Sequence, residues 1–206
     1  MITDKWWFGI AIGFPVWLIS FAASANELPG DEGLRLLESV DGVVHKIEMH
    51  LTHTEKSLET GWVEMRQCHC DMAPTGRSSI VFSPARARRM ELLHARGVGK
   101  YWIGEDGVSV EMEDVSKENE ICFEGELRKV YLGGGQYHQN SGPYFLRFLD
   151  GYFPLKLDLM VDTDRSGMKV SAVEPSSVPY KIDRNGLHID LLFEGRLTLV
   201  FSFEEQ

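Results

Sequence analysis

From residue 43 to the end of the chain, apolar and polar residues alternate with a period of two, the pattern of strands that bury one face. One face of the first such segment carries Val43, His45, Ile47, Met49, Leu51 and His53; the other carries Val44, Lys46, Glu48, His50 and Thr52. A turn at Glu59, Thr60 and Gly61 leads to a second strand from Trp62 to about Cys70, so the two segments are expected to form a long hairpin. Residues 71–76 are loop by composition. Ile80, Val81 and Phe82 make a short apolar run, and Ser83 with Pro84 has the cap-and-first-position pattern of a brief helix reaching Arg89. Strands are expected over 90–95 and 98–103, around Gly97, followed by a tight turn at Glu105, Asp106 and Gly107. Val108, Val110 and Met112, then Ile121, Phe123 and Leu127, continue the alternation.

The last third repeats it most clearly. Leu155, Leu157, Leu159 and Val161 alternate with Lys156, Asp158, Met160 and Asp162, and a turn at 164–167 leads to Met168, Val170 and Ala172. Asn185 and Gly186 are a strong hairpin dipeptide if 179–182 is the first strand; Leu187, Ile189, Leu191 and Phe193 follow, then Leu197, Leu199, Phe201 and Phe203. Residues 133–143, rich in Gly, Asn and Ser, read as a flexible connection and as one place for a subdomain break. Leu34, Leu36, Leu37 and Val40 suggest a short helix over 31–40. About ten short strands with turns between them predict an all-β fold, an antiparallel β-sandwich or an open barrel, filling residues 26–206 as one domain.

Residues 1–25 are set apart from that fold. Lys5 precedes an apolar stretch from Trp6 to Ala22, which ends at Ala23, Ser24 and Ala25, small residues where a signal peptidase cuts. The stretch is interrupted by Gly9, Gly13 and Pro15 and falls short of the roughly 20 apolar residues a membrane span needs. A cleavable signal peptide with Asn26 as the new terminus is therefore expected, giving a periplasmic or extracellular protein with no span after cleavage. An uncleaved anchor is the alternative.

Composition narrows the partners. The 206 residues carry a formal net charge of −10, and 25% are charged. So acidic a chain repels phosphate backbones, which argues against nucleic acid. Arg86, Arg88 and Arg89 form the one local basic cluster and read as a solvated face rather than an anion site. No Asn-x-Ser/Thr acceptor occurs, which favours a bacterial source over a glycosylated one.

Three cysteines, Cys68, Cys70 and Cys122, would meet an oxidising compartment. Two residues apart on a strand, Cys68 and Cys70 have Cα atoms about 6.5–7 Å apart by strand rise, the long limit for a disulfide. A Cys68–Cys122 bond from a facing strand is the favoured pairing, leaving Cys70 free. The run from Met65 to Met72 also gathers thiols, the His69 imidazole and thioethers, with His50 on the preceding strand. Soft sulfur with imidazole suits copper, or zinc if thiolates dominate, so Cys70, His69, His50 and Met72 are candidate ligands, although no cofactor is the leading expectation. Strand alternation opposes the set, because His69 points away from Cys70. His45 reads as a satisfied core histidine. No nucleophile elbow, metalloprotease helix or P-loop is present, which disfavours but does not remove a secreted hydrolase. Tyr137, His138, Tyr144 and Tyr152 crowd the 133–154 region and are candidate binding-surface residues. The leading expectation is an exported, non-catalytic binding or assembly module of the cell envelope that meets a protein or small ligand. A copper- or zinc-handling protein is the alternative.

Overall fold

The computed structural model describes residues 33–149 and 151–205; the expected signal peptide lies outside the described residues. Among these, strands dominate. They are β1 (Arg35–Leu37), β2 (Lys46–Thr54), β3 (Trp62–Cys70), β4 (Thr75–Ile80), β5 (Ala87–Ile103), β6 (Val110–Arg128), β7 (Val130–Gly133) and β8 (Gln136–Tyr144). There follow β9 (Leu146–Phe148), β10 (Gly151–Phe153), β11 (Leu155–Arg165), β12 (Met168–Glu174), β13 (Lys181–Asp183), β14 (Gly186–Glu194) and β15 (Leu197–Glu205). A single helical turn, α1 (Ser57–Thr60), closes the expected β2–β3 hairpin, and Gly61 ends it in the left-handed conformation.

The strands form three sheets. A nine-stranded sheet has the order β1-β14-β11-β2-β3-β6-β4, with β13 beside β14 and β5 beside β6. A four-stranded sheet has the order β12-β15-β8-β7, and β9 pairs with β10 alone. Alternation decides which face each strand buries. Ile47, Met49 and Leu51 on β2, Leu155, Leu157, Leu159 and Val161 on β11, and Ile189, Leu191 and Phe193 on β14 all lie in one core. Leu197, Leu199, Phe201 and Phe203 of β15 join the same core from the small sheet. The two sheets therefore pack face to face, as in a sandwich. His53 of the large sheet lies 4.8 Å, ring to ring, from Phe203 of the small one.

Several expectations are corrected. Among the described residues there are fifteen strands, not about ten. The pairing is not wholly antiparallel, since β11 runs parallel to β2, Leu157 opposite Ile47. Hairpin logic governs sequence neighbours, whereas a strand returning after a long excursion is free to enter in either sense. Leu36 pairs with Phe193 in an edge strand, so the helix expected over 31–40 is absent from its described part. The brief helix expected from Ser83 is one turn, with Arg86 and Ala87 both donating to the Ser83 carbonyl. Pairing of Ala87 with Leu127 then draws the backbone into β5. The two strands expected around Gly97 are one, with a register shift where Gly97 adopts φ +65°. The stretch expected to be a flexible connection is ordered as the β7–β8 hairpin, turning at Gly134 and Gly135. Asn185 and Gly186 make the expected turn between β13 and β14. A Cβ on Gly186 would meet the Val161 carbonyl oxygen at 1.9 Å, so only glycine lets β14 lie against β11 there.

Candidate functional site

Strand β3 decides the fate of the sulfur and imidazole group. Cys68 stands opposite Cys122 on β6, and the two form the expected disulfide, with a sulfur–sulfur distance of 2.04 Å. Cys70 keeps a free thiol on the same face, the outer one. Burial, reinforced by the Glu48 and Glu120 carboxylates, pushes that thiol up to about 11, so it stays protonated and a poor ligand near neutral pH. His69 points the other way, into the core, and is buried. Met72 is buried, while His50 is exposed on the outer face. The four residues expected to hold copper or zinc thus do not converge. A different trio, the sulfurs of Cys68 and Cys122 with a Glu120 oxygen, lies within 4.8 Å, but the disulfide occupies both sulfurs.

The inner face carries polarity that apolar alternation would not predict. His69 Nδ1 lies 2.9 Å from His45 Nε2, and His69 Nε2 lies 2.6 Å from the Gln67 amide nitrogen. Deeper between the sheets, His53 Nε2 bonds the Gln139 amide oxygen of β8 at 2.5 Å. Tyr144 shares a 2.7 Å hydrogen bond with Ser141, and its hydroxyl lies 3.2 Å from the Met49 sulfur on the opposing sheet. Three buried atoms of this seam find no partner among the described residues: Gln67 Oε1, His53 Nδ1 and Gln139 Nε2. Nearly all buried polar groups in folded proteins have a partner, so these three atoms are the ones in the seam able to meet a further polar group.

That seam borders the largest hollow described, a cleft of about 830 Å³ between the two sheets. Ile47, Met49 and Gln67 line it from the large sheet, Tyr144 and Asn140 from β8, and Ile80, Val81 and Phe82 from the segment leaving β4. Gly142 forms part of the wall, and a Cβ there would lie 2.7 Å from the Leu197 carbonyl oxygen, so the strand needs glycine to approach β15. Arg86, Arg128 and Lys129 also line the cleft, and no aspartate or glutamate does. Arg88 and Arg89 pair with Glu126, as a solvated basic face should. Arg86, by contrast, makes no ion pair among the described residues, and neither do Arg128 and Lys129. Lys129 is half-buried, with its ammonium 3.4 Å from the Asn140 carbonyl oxygen. Burial first, and then the Arg86 charge, pull its pKa down to about 8.

Of the four aromatic and imidazole residues singled out by sequence, Tyr144 alone lines the cleft. Tyr137 is half-buried and packs against the core. His138 is held between the Ser202 hydroxyl at 3.0 Å and the Gly133 carbonyl oxygen at 3.2 Å. Tyr152 lies under the Arg147 guanidinium, 5.5 Å from the ring centre, with Phe145 at its edge. Sequence reasoning missed Gln67, Gln139, Arg128 and Lys129, and it read Arg86 as part of a solvated basic face. The first two left a signal: each is a polar residue at an inward position of an alternating strand. The cations left none, because their shared environment exists only once β4, β6 and β8 are assembled. A smaller hollow of about 340 Å³ on the outer face holds His50, Arg66 and Arg89 among Glu64, Glu91, Glu124 and Glu126, so its charges are mixed.

No family model matches the sequence, and no curated protein matches it. Among solved structures, the chain is similar to a mutant of a two-domain M1 zinc metallopeptidase bound to L-tryptophan, at 15% identity and a TM-score of 0.39. It is likewise similar to a mutant M1 zinc metallopeptidase from Deinococcus radiodurans bound to a Tyr-Ser-Ala substrate, at 15% identity and a TM-score of 0.38. In both cases the similarity covers 84% of this chain and 43% of the other, so the chain spans less than half of those proteins.

Proposed function

We propose that the chain is an exported, non-catalytic binding module of the bacterial cell envelope that holds a small ligand in the cleft between its sheets. The observation that carries this reading is the cleft itself. It is large enough for a small molecule, lined largely by apolar side chains, and bordered by the unpartnered Gln67 carbonyl oxygen. Export rests on the pattern of residues 1–25 and agrees with a disulfide, which persists in oxidising compartments.

The uncharged dye Nile red tests the cleft without presupposing a headgroup. Its fluorescence should rise on adding the folded chain and saturate near one dye per chain. Val81→Trp, at an exposed wall position, should abolish the rise while leaving the fold intact by circular dichroism. No enhancement by the folded wild-type chain would refute the cleft as a binding site. Export is tested by fractionating cells and reading the mature mass, expected to begin at Asn26.

A further inference from the structure

We infer that the ligand of this cleft is an anionic amphiphile, a hydrocarbon body with a single acidic head, its tail on the Met49 and Phe82 wall and its head among Arg86, Arg128 and Lys129. The inference rests on the cleft being the binding site. Its basis is charge complementarity. The chain has ten more Asp and Glu residues than Lys and Arg residues. Yet the lining of the cleft includes three cations and no carboxylate. Other cations lie beside acids, as Lys100 does with Glu113 at 3.2 Å and Arg165 with Glu64 at 3.1 Å, and those that lack an ion pair among the described residues, such as Arg66 and Lys117, are not gathered in the cleft.

Arg86 lies near enough to Lys129 to add, after burial, to the lowering of its pKa, and no carboxylate lines the cleft to offset either charge. An acidic head would supply the missing opposite charge. Such arrangements persist when a ligand supplies the missing charge. Guanidinium groups bind carboxylate and phosphate in the same forked geometry, so the cations select for charge and not for one head. Hydrocarbon suits the wall away from the cations, where Ile47, Ile80 and Phe82 present no polar side-chain atom. A bare inorganic anion would leave that wall in water, and a neutral lipid would leave the cations unpaired.

Competition for bound Nile red separates the cases. Decanoate, decyl phosphate, decanol and decylamine share one tail and differ in head. Both acids are expected to displace the dye at concentrations at least tenfold below decanol, with decylamine weakest, and the advantage of the acids should shrink as salt rises. Arg86→Met and Lys129→Met should bring decanoate down to the level of decanol, each competitor being compared with decanol on the same variant. If only one acid shows the advantage, that acid names the head. If decanol competes as well as the acids, the charge inference falls and the cleft reading stands. If the wild-type chain takes up no dye, both fall together. A preference for decylamine would also overturn the inference. Should a methionine variant misfold, Arg86→Gln and Lys129→Gln replace it. The wild-type chain needs no variant at all: an advantage of the acids that does not change with salt overturns the inference by itself.

Discussion

His69 is enclosed in the core but bonds at both ring nitrogens, and that geometry fixes its proton. The Gln67 amide nitrogen must donate, so His69 Nε2 accepts; Nδ1 then carries the hydrogen and donates to His45 Nε2. A proton added to either ring would set two N–H groups against one another or enter a buried site. Burial is the larger cause in both rings: it brings His69 down to about 3, aided by His45, and His45 to about 4, against the pull of Asp71. The unfolded chain titrates these rings near 6.5, so it takes up protons first as pH falls. The stability they contribute is complete above that value and is lost progressively down to pH 4 and below. For His45 the loss amounts to as much as about 3 kcal/mol by pH 4. Urea denaturation from pH 8 to 4 should show a flat region above 7 and a decline below 6.5. His45→Asn should make that decline shallower without abolishing it, because His69 stays buried, and a variant as acid-sensitive as the parent would show that His45 is not a source of it. At this scale the sequence was half legible. His45 was readable as a core residue from its place in the alternation, but its partner was not, since the register of β2 on β3 decides who meets whom.

Among the elements, β6 does the most joining. It pairs with β3 along its C-terminal half, with β4 along its N-terminal half, and with β5 on its other edge. The disulfide ties β3 to this strand across 54 residues, a span that also includes β4 and β5. Closing so long a loop removes unfolded-state freedom worth about 3–4 kcal/mol in the chain-entropy account. Cys122→Ala should therefore lower the urea-derived unfolding free energy by roughly that much, whereas Cys70→Ala should change it by less than about 1 kcal/mol. Iodoacetamide at pH 8 should label one thiol per chain, more slowly than free cysteine, because the Cys70 thiol is pushed to about 11. Rapid labelling, or two labels, would contradict the pairing. The bond was legible because a Cys-x-Cys pair on one strand and a third cysteine on another leave few alternatives. The helix after Ser83 was misread for an equally physical reason. Its cap signal is genuine and yields one turn, but the edge of β6 offers Ala87 and its successors a full ladder of hydrogen bonds that a short helix does not match.

At the scale of the molecule, function depends on how two sheets meet, and alternation says only that each must meet something. It gave the buried faces of β2, β11, β14 and β15 correctly, yet it is blind to β11 entering parallel between β2 and β14. The cleft is a consequence of that assembly. Its walls come from both sheets, Met49 and Gln67 on one and Tyr144 on the other, joined across the gap by the Tyr144 contact with Met49. A ligand seated there touches both sheets at once and must stabilise their packing, not one sheet alone. By linkage, saturation at a hundred times the dissociation constant adds about 2.7 kcal/mol to the unfolding free energy. Amide hydrogen exchange with and without decanoate should then slow in β2, β3 and β8 together, with β12, on the far side of β15, changing least. Protection confined to β8 would mean that the amphiphile lies on the small sheet and does not enter between the layers. Uniform protection of every strand would mean only that global unfolding had become rarer. Concerted slowing of the facing strands, exceeding that of β12, is the pattern that a ligand between the sheets requires.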